Sequence, residues 1–155
     1  MTFTQSFLNE LEQEAITTRK MLERVPADKY NWKPHEKSMS LIQLATHVGE
    51  IPTWIKMVLN TKELDFAQNE YNPTIIKSNA ELLAYFEKSL KEGRAALENT
   101  NDQQMEEKWV MRTGDKIHVD DAKRVMIRHC FCQVVHHRAQ LGVFLRLLDV
   151  PIPGS

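Results

Sequence analysis

Hydrophobic residues recur every three or four positions in four long segments of the chain, and charged residues fill most of the positions between them. This period is typical of amphipathic helices with one apolar stripe. In the second segment the stripe is formed by Leu44, Val48, Ile51, Ile55 and Val58. Four such helices bury their stripes best against one another, so the pattern predicts an all-α four-helix bundle. The predicted helices run from about Thr4 to Arg24, Leu41 to Asn60, Ser78 to Asn99–Asn101 and Asp121 to Leu148.

Residues with cap or stop chemistry mark the predicted helix ends. Pro26 follows the first helix, and Pro52 lies inside the second, where the loss of one backbone hydrogen bond predicts a kink. A serine or aspartate just before a helix accepts a hydrogen bond from one of its free N–H groups, and a glutamate three residues later completes a capping box. The predicted caps are Ser38 or Ser40 for the second helix, Ser78 with Glu81 for the third, and Asp120 or Asp121 for the fourth.

The segments between the helices differ in character. Residues 27–39 are predicted to form a structured loop, and residues 63–77 a polar connection. Two short apolar runs, 109–111 and 117–119, flank the turn-forming sequence TGD at 113–115. This pattern predicts a small β-hairpin or an extended loop before the last helix.

Composition fits one globular domain and indicates which classes of binding partner to expect. The 155 residues are 42% hydrophobic and 26% charged, which predicts a single domain over residues 1–155. Lys and Arg number 20 and Asp and Glu 21, so we expect no nucleic-acid partner and no membrane-binding surface. Cys130 and Cys132 point in different directions on one helix and cannot easily bridge each other. With no secretory or transmembrane stretch in the sequence, a cytoplasmic location is predicted.

The fourth predicted helix has polar residues on the stripe that should face the core. A buried imidazole or amide costs free energy unless it is hydrogen-bonded or metal-bound. His129, Gln133 and His137 are spaced four residues apart, so neighbours in this set can share one ion. His129 and His137 are about 12 Å apart along the axis and cannot. The predicted inward stripe consists of Met126, His129, Cys130, Gln133, His137, Gln140, Leu141, Phe144 and Leu148.

The second predicted helix can supply another ligand. His47 lies three residues after Leu44 and four before Ile51, at the edge of the apolar stripe. Glu50, one turn further on, can accept a hydrogen bond or orient a neighbouring side chain. Three protein ligands would leave positions for water or substrate, as in a catalytic metal site.

Spacing alone leaves several arrangements open. The metal-binding pair on the fourth helix could be Gln133 with His137 or His129 with Gln133, or the histidines could be hydrogen-bonded core residues with no metal. His136 and Cys132 form a rival pair that faces another side of the helix.

Two parts of the sequence resemble the DinB/YfiT-like family. The first comprises WKPHEKSMSL at 32–41, LATH at 44–47 and EIP at 50–52. The second comprises HHRAQL at 136–141 and LRLLDVP at 145–151. The likeness extends over nearly the whole chain, in the same helix order, and family members often continue beyond the point where this chain stops.

The resemblance implies a four-helix bundle, usually a homodimer, with a divalent ion held by one histidine of the second helix and two of the last. The matching positions are His47, Gln133 and His137, so a glutamine replaces the middle histidine. Its amide oxygen is a harder and weaker ligand than imidazole. The ion expected is zinc, nickel, manganese or iron. The residues expected around it are Glu50, His129, His136 and Gln140.

These patterns support three functional hypotheses. The resemblance favours a metal-dependent enzyme that transfers thiol groups or hydrolyses small molecules, because a bound ion lowers the pKa of a thiol or water. The glutamine at position 133 favours a bundle that binds a small ligand or a protein partner without catalysis. A purely structural dimer is the third hypothesis.

Overall fold

The computed structural model describes residues 2–154 and is built mainly from four long helices. The predicted helical bundle with a hairpin before the last helix is confirmed. Met1 and Ser155 lie outside the described residues. The expectation that relatives continue past Ser155 also concerns a residue outside this range. The helices are α1 (Phe3–Leu22), α2 (Leu41–Asn60), α3 (Asn79–Glu98), the short α4 (Asp102–Met105) and α5 (Lys123–Leu147), and the strands are β1 (Glu63–Asp65), β2 (Lys108–Thr113) and β3 (Lys116–Ala122).

The start of α2 is fixed by a complete capping box. The Ser40 hydroxyl accepts a hydrogen bond from the Gln43 backbone N–H, and the Ser40 N–H donates to the Gln43 side-chain oxygen. At α3 only half of the predicted box forms. The Ser78 hydroxyl accepts from the Glu81 N–H, but the Glu81 carboxylate accepts from the N–H of Lys77.

The predicted cap of α5 is wrong. Asp120 and Asp121 belong to β3, where they pair with Val110 and Trp109 of β2. The strand therefore continues to Ala122, which precedes α5 without a side-chain cap. Sheet pairing across the hairpin overrides the local capping preference of the two aspartates.

Helix α2 continues through Pro52, and α3 compensates for the disrupted backbone there. The Ser89 hydroxyl of α3 accepts a hydrogen bond from the Thr53 N–H (3.1 Å) and donates to the Glu50 carbonyl (3.1 Å). Gly93 permits this close approach, since a Cβ atom at that position would lie 2.6 Å from the Pro52 carbonyl oxygen. These contacts hold α2 and α3 close together next to Glu50.

The small sheet has the order β1-β2-β3, with β1 parallel and β3 antiparallel to β2. Strand β1 lies in the segment predicted to be only a polar connection, and contacts distant in sequence hold it. The Asp65 carboxylate accepts hydrogen bonds from the N–H groups of Ala67 and Gly114 and pairs with Arg112 at 2.8 Å. Trp109 is fully buried beneath the sheet and donates its indole N–H to Thr61.

The core lies between the long helices, with α2 packed against both α3 and α5. Trp32, in the loop before α2, packs edge-on against Phe144 of α5 and closes one end of the bundle. Within residues 2–154, no helix is long and apolar enough to cross a membrane.

Candidate metal centre

His47 of α2 and His137 of α5 meet at the edge of the bundle. Their ring centroids are 4.5 Å apart and the ring planes are inclined by 77°. The His47 side chain is 14% exposed, which agrees with its predicted place at the border of the apolar stripe. Two imidazoles from different helices therefore converge where small molecules can reach them.

His47 is held by a buried carboxylate. Its Nδ1 lies 2.7 Å from Glu50 Oε1, and the Tyr71 hydroxyl donates to the same oxygen, also at 2.7 Å. A carboxylate only accepts hydrogen bonds, so this network assigns the ring proton to Nδ1 and leaves the Nε2 lone pair available. Burial and the neighbouring Glu50 charge raise the pKa of Tyr71, so it remains a donor. The carboxylate–histidine arrangement is typical of metal-ligating histidines.

His137 is held by two amide groups. Its Nε2 lies 3.1 Å from Gln133 Oε1, and its Nδ1 lies 2.8 Å from Gln140 Oε1. Burial lowers the pKa of His137; the hydrogen bond to Gln140 raises it, and the nearby imidazoles of His47 and His136 lower it further. A neutral imidazole has one N–H, so it can donate to only one of these oxygens. The other nitrogen has a lone pair, which can accept a hydrogen bond from an amide N–H or bind a ligand.

The buried face of α5 differs from the predicted inward stripe. Its centre lies near Val134, because α5 packs against α1 as well as α2 and buries Arg138 in an ion pair with Glu14. Gln133 and His137 consequently lie at the edge of this face. The buried residues of α5 include Met126, Ile127, Cys130, Phe131, Val134, Arg138, Leu141 and Leu145.

This orientation corrects the predicted surroundings of the site. His129 was expected to point inward but is exposed, because it lies beyond the edge of the buried arc. Gln140 is also exposed, although it contacts His137. His136 is exposed too, with its ring centroid 4.8 Å from that of His137. Its rival partner Cys132 is exposed on the same helix.

The second cysteine, Cys130, does not offer a reactive thiolate. It is buried, and burial raises its pKa to about 12. A thiolate is the nucleophilic form of cysteine, so Cys130 packs as a small apolar residue.

Sequence reasoning missed Tyr71 and Trp54. Tyr71 reaches Glu50 from the loop after β1, 21 residues along the chain, and the polar sequence around it gives no signal of this contact. Trp54 packs edge-on against His47, with ring centroids 5.4 Å apart. Its position seven residues after His47, on the same side of a helix, could have indicated this contact.

One pair of donor atoms has the spacing of two ligands of a divalent ion. Ligand atoms about 2.1 Å from one ion lie roughly 3.0–3.4 Å apart, a range that includes the 3.1 Å between His137 Nε2 and Gln133 Oε1. His47 Nε2 supplies a second imidazole. In residues 2–154, no three His, Cys, Asp or Glu side chains are grouped to hold an ion, so Gln133 is needed for the third contact. One amide oxygen with two imidazoles suits a borderline ion and binds it more weakly than three imidazoles.

Two clefts open beside the histidines. The cleft next to His47 has a volume of about 310 Å³ and lies between α2 and residues 71–76. The cleft next to His137 has a volume of about 370 Å³ and lies between α5 and residues 38–39. Met39 lines both clefts.

Comparisons with known proteins give a consistent result. The model of the DinB family matches residues 1–154. A DinB-like protein from Bacillus subtilis is 19% identical, with 96% of each chain covered and a TM-score of 0.75. A DinB-like protein from Bacillus cereus ATCC 10987 is also 19% identical, with 97% of this chain and 96% of that chain covered and a TM-score of 0.76. At this identity the likeness shows a shared fold, and the comparison with curated proteins found no match.

Proposed function

We propose that this chain, which belongs to the DinB family, is a metal-dependent enzyme that acts on small molecules. The observation that carries the proposal is the convergence of His47 and His137, whose ring centroids are 4.5 Å apart although they come from different helices. The resemblance to the family's metal-binding positions points to the same pair. The reaction class proposed is thiol-group transfer or hydrolysis.

His47 Nε2, His137 and Gln133 Oε1 would hold the ion, which would be zinc, nickel, manganese or iron. When bound, the ion supplies Lewis acidity, which lowers the pKa of a thiol or water and so makes it a better nucleophile. Glu50 keeps the His47 proton on Nδ1 and fixes the direction of the ring. Gln140 orients His137 through Nδ1. The two clefts admit small molecules to the space in front of the rings.

The partner and location predictions remain part of the proposal. We propose a homodimer, supported by exposed apolar side chains on the part of α5 that borders α1. The near-balanced charge gives no support for a nucleic-acid partner. The two cysteines are free thiols, which supports the cytoplasm as the location. These exposed apolar residues are Val135, Val143 and Leu147.

Metal content tests the proposal directly. We expect at most one tightly bound ion per chain when protein purified without a metal-affinity tag is measured by inductively coupled plasma mass spectrometry. The His47→Ala and His137→Ala variants should lose it. The matched control is His129→Ala, because His129 is an exposed histidine on the same helix as His137. Absence of metal, with no thermal shift on adding zinc, nickel, manganese or iron, would contradict the proposal.

A non-catalytic bundle is the second candidate. It is favoured by the two amide oxygens that face both ring nitrogens of His137, since such a network can satisfy the imidazole without an ion. In that case His47→Ala would lower the thermal stability and leave the metal content unchanged. A measurable loss of metal in this variant would rule the candidate out.

A further inference from the structure

We infer that the site binds two small organic molecules at once, one in the cleft beside His47 (the His47 cleft) and one in the cleft beside His137 (the His137 cleft), with the Met39 side chain between them. The inference rests on the proposed function only where it selects group transfer over hydrolysis. The binding of two ligands follows from the arrangement of the clefts and can be measured whether or not the protein holds a metal.

The two clefts meet at neighbouring imidazole rings. His47 lines one cleft and His137 lines the other, and the centroids of these rings are 4.5 Å apart. The volumes of about 310 Å³ and about 370 Å³ are both at the lower end of typical small-molecule pockets. Two molecules bound in the clefts would therefore each contact one ring of the same pair.

Met39 is the wall that the two clefts share. It directly precedes Ser40, whose capping box fixes the start of α2, so the backbone of Met39 has a defined place. Its side chain lines both clefts and the residue is 43% exposed. An unbranched thioether side chain adapts its shape to its neighbours, so Met39 can contact both ligands. Shortening this side chain should consequently affect both clefts.

The outer walls of the two clefts belong to different parts of the fold. In the His47 cleft the wall is the loop at residues 71–76, which is held by the Tyr71 hydrogen bond to Glu50 and by Ile76 in the core. In the His137 cleft the wall includes Phe144, which packs edge-on against Trp32 with ring centroids 5.6 Å apart. A ligand can therefore fill one cleft without displacing the outer wall of the other.

Two ligand places favour group transfer over hydrolysis. A hydrolase binds one organic molecule, because its second reactant is water, which needs no cleft of this size. In a thiol transfer the sulfur forms a bond to an electrophilic carbon of the second molecule. The bond from that carbon to its leaving group breaks, its electron pair stays with the leaving group, and the thiol proton passes to water. Neighbouring clefts would bring the sulfur and the carbon together.

A probe with one ring and a probe with two rings joined by sulfur test the inference. We would titrate the full chain with 4-(methylsulfanyl)phenol and with 4,4′-thiodiphenol, with zinc and again after chelation, and follow side-chain methyl signals by NMR. The one-ring probe should shift Ile76 in the His47 cleft, Leu44 in the His137 cleft, and Met39, with two molecules bound per chain. The two-ring probe should shift the same signals with one molecule per chain. It should bind at least about tenfold more tightly, because the second ring is already held near its cleft.

One substitution and a matched control test the shared wall. Met39→Ala should weaken binding of the one-ring probe by about two- to fivefold at both Ile76 and Leu44, because each cleft loses the same apolar contact. Ile75→Ala is the control, since Ile75 is 81% exposed and lines the His47 cleft but not the His137 cleft. It should leave the affinity measured at Leu44 unchanged.

Several results would overturn the inference. These are one molecule of the one-ring probe per chain, signal shifts in one cleft only or in neither, a two-ring probe that binds no more tightly than the one-ring probe, or an effect of Met39→Ala on a single cleft. Each can occur in a protein that holds a metal, and would then reject two-substrate transfer while leaving a metal-dependent hydrolase. Conversely, binding of two molecules to a protein that holds no metal would support the two clefts and contradict the proposed metal function.

Discussion

The two helices that form the site hold their histidines in different ways. On α2, His47 is bonded to the buried carboxylate of Glu50, and α3 supports the backbone at Glu50 through Ser89. On α5, His137 lies at the edge of the buried face and contacts two neutral amides, one of them from the exposed Gln140. A buried charged partner fixes one orientation, whereas amides can exchange donor and acceptor by flipping. The half of the site on α2 is therefore preorganised, and the half on α5 is adaptable.

The largest effect is expected from adding a methyl group to the α2–α3 contact. In Gly93→Ala the new Cβ would lie 2.6 Å from the Pro52 carbonyl oxygen, so the helices must separate, and the free energy of unfolding should fall by about 1–3 kcal/mol. In Gly142→Ala on α5, the nearest atom is Met21 Cε at 3.6 Å. That variant should be unchanged or more stable by up to about 1 kcal/mol. Urea unfolding measures both, and equal destabilisation would refute the contrast.

Removal of the carboxylate on the α2 side should have the next largest effect. Glu50→Gln keeps the shape but removes the charge that orients His47, so zinc affinity should fall about 10- to 100-fold. Gln140→Ala removes the exposed, neutral partner of His137 and should weaken zinc binding less than Glu50→Gln does. Competition with a chromophoric chelator gives both affinities. If Gln140→Ala weakened zinc binding more than Glu50→Gln, then α5 rather than α2 would carry the preorganised half of the site.

Substitution of the unusual ligand should strengthen metal binding. Gln133→His supplies a third imidazole four residues before His137, as the family resemblance implies, and zinc affinity should rise about tenfold. Gln133→Leu is the matched control, since it retains bulk but no donor atom, and it should bind zinc more weakly than the natural chain. Unchanged affinity in all three proteins would show that residue 133 is not a ligand.

The smallest effect is expected in the pH dependence of the folding stability. Burial lowers the pKa of His137 below its usual value of 6.5, so the unfolded chain binds the proton more readily than the folded chain. The contribution of neutral His137 to stability is therefore fully present above this value and is lost as pH falls towards the lowered pKa. In chelated protein, urea midpoints at a series of pH values should fall less steeply over this interval for His137→Gln than for the natural chain. A steeper fall in the variant would contradict this sign.

Local sequence patterns predicted much of the fold and part of the site. The helical period gave α2 with its observed bounds, Leu41–Asn60, and placed His47 at the border of its stripe. The hairpin before α5 was also predicted, because its turn and apolar runs are adjacent in sequence. These features depend on residues that are close in sequence, so they can be predicted from the sequence alone.

Features that depend on distant contacts could not be predicted in this way. The rotation of α5 that exposes His129 follows from packing against two helices and from the buried pair of Arg138 with Glu14. The position of Tyr71 at Glu50 and the pairing of β1 with β2 depend on how the loop after α2 returns to the bundle. A single helical period contains no information about these partners.

The most direct test of the central claim is an anomalous difference map from crystals of protein purified without a metal-affinity tag, with data collected at the absorption edge of the metal found by elemental analysis. We predict one peak, roughly 2.0–2.2 Å from a nitrogen of His47, a nitrogen of His137 and Oε1 of Gln133. A map without a peak at this position in metal-supplemented crystals, with the two rings hydrogen-bonded as described here, would contradict the claim.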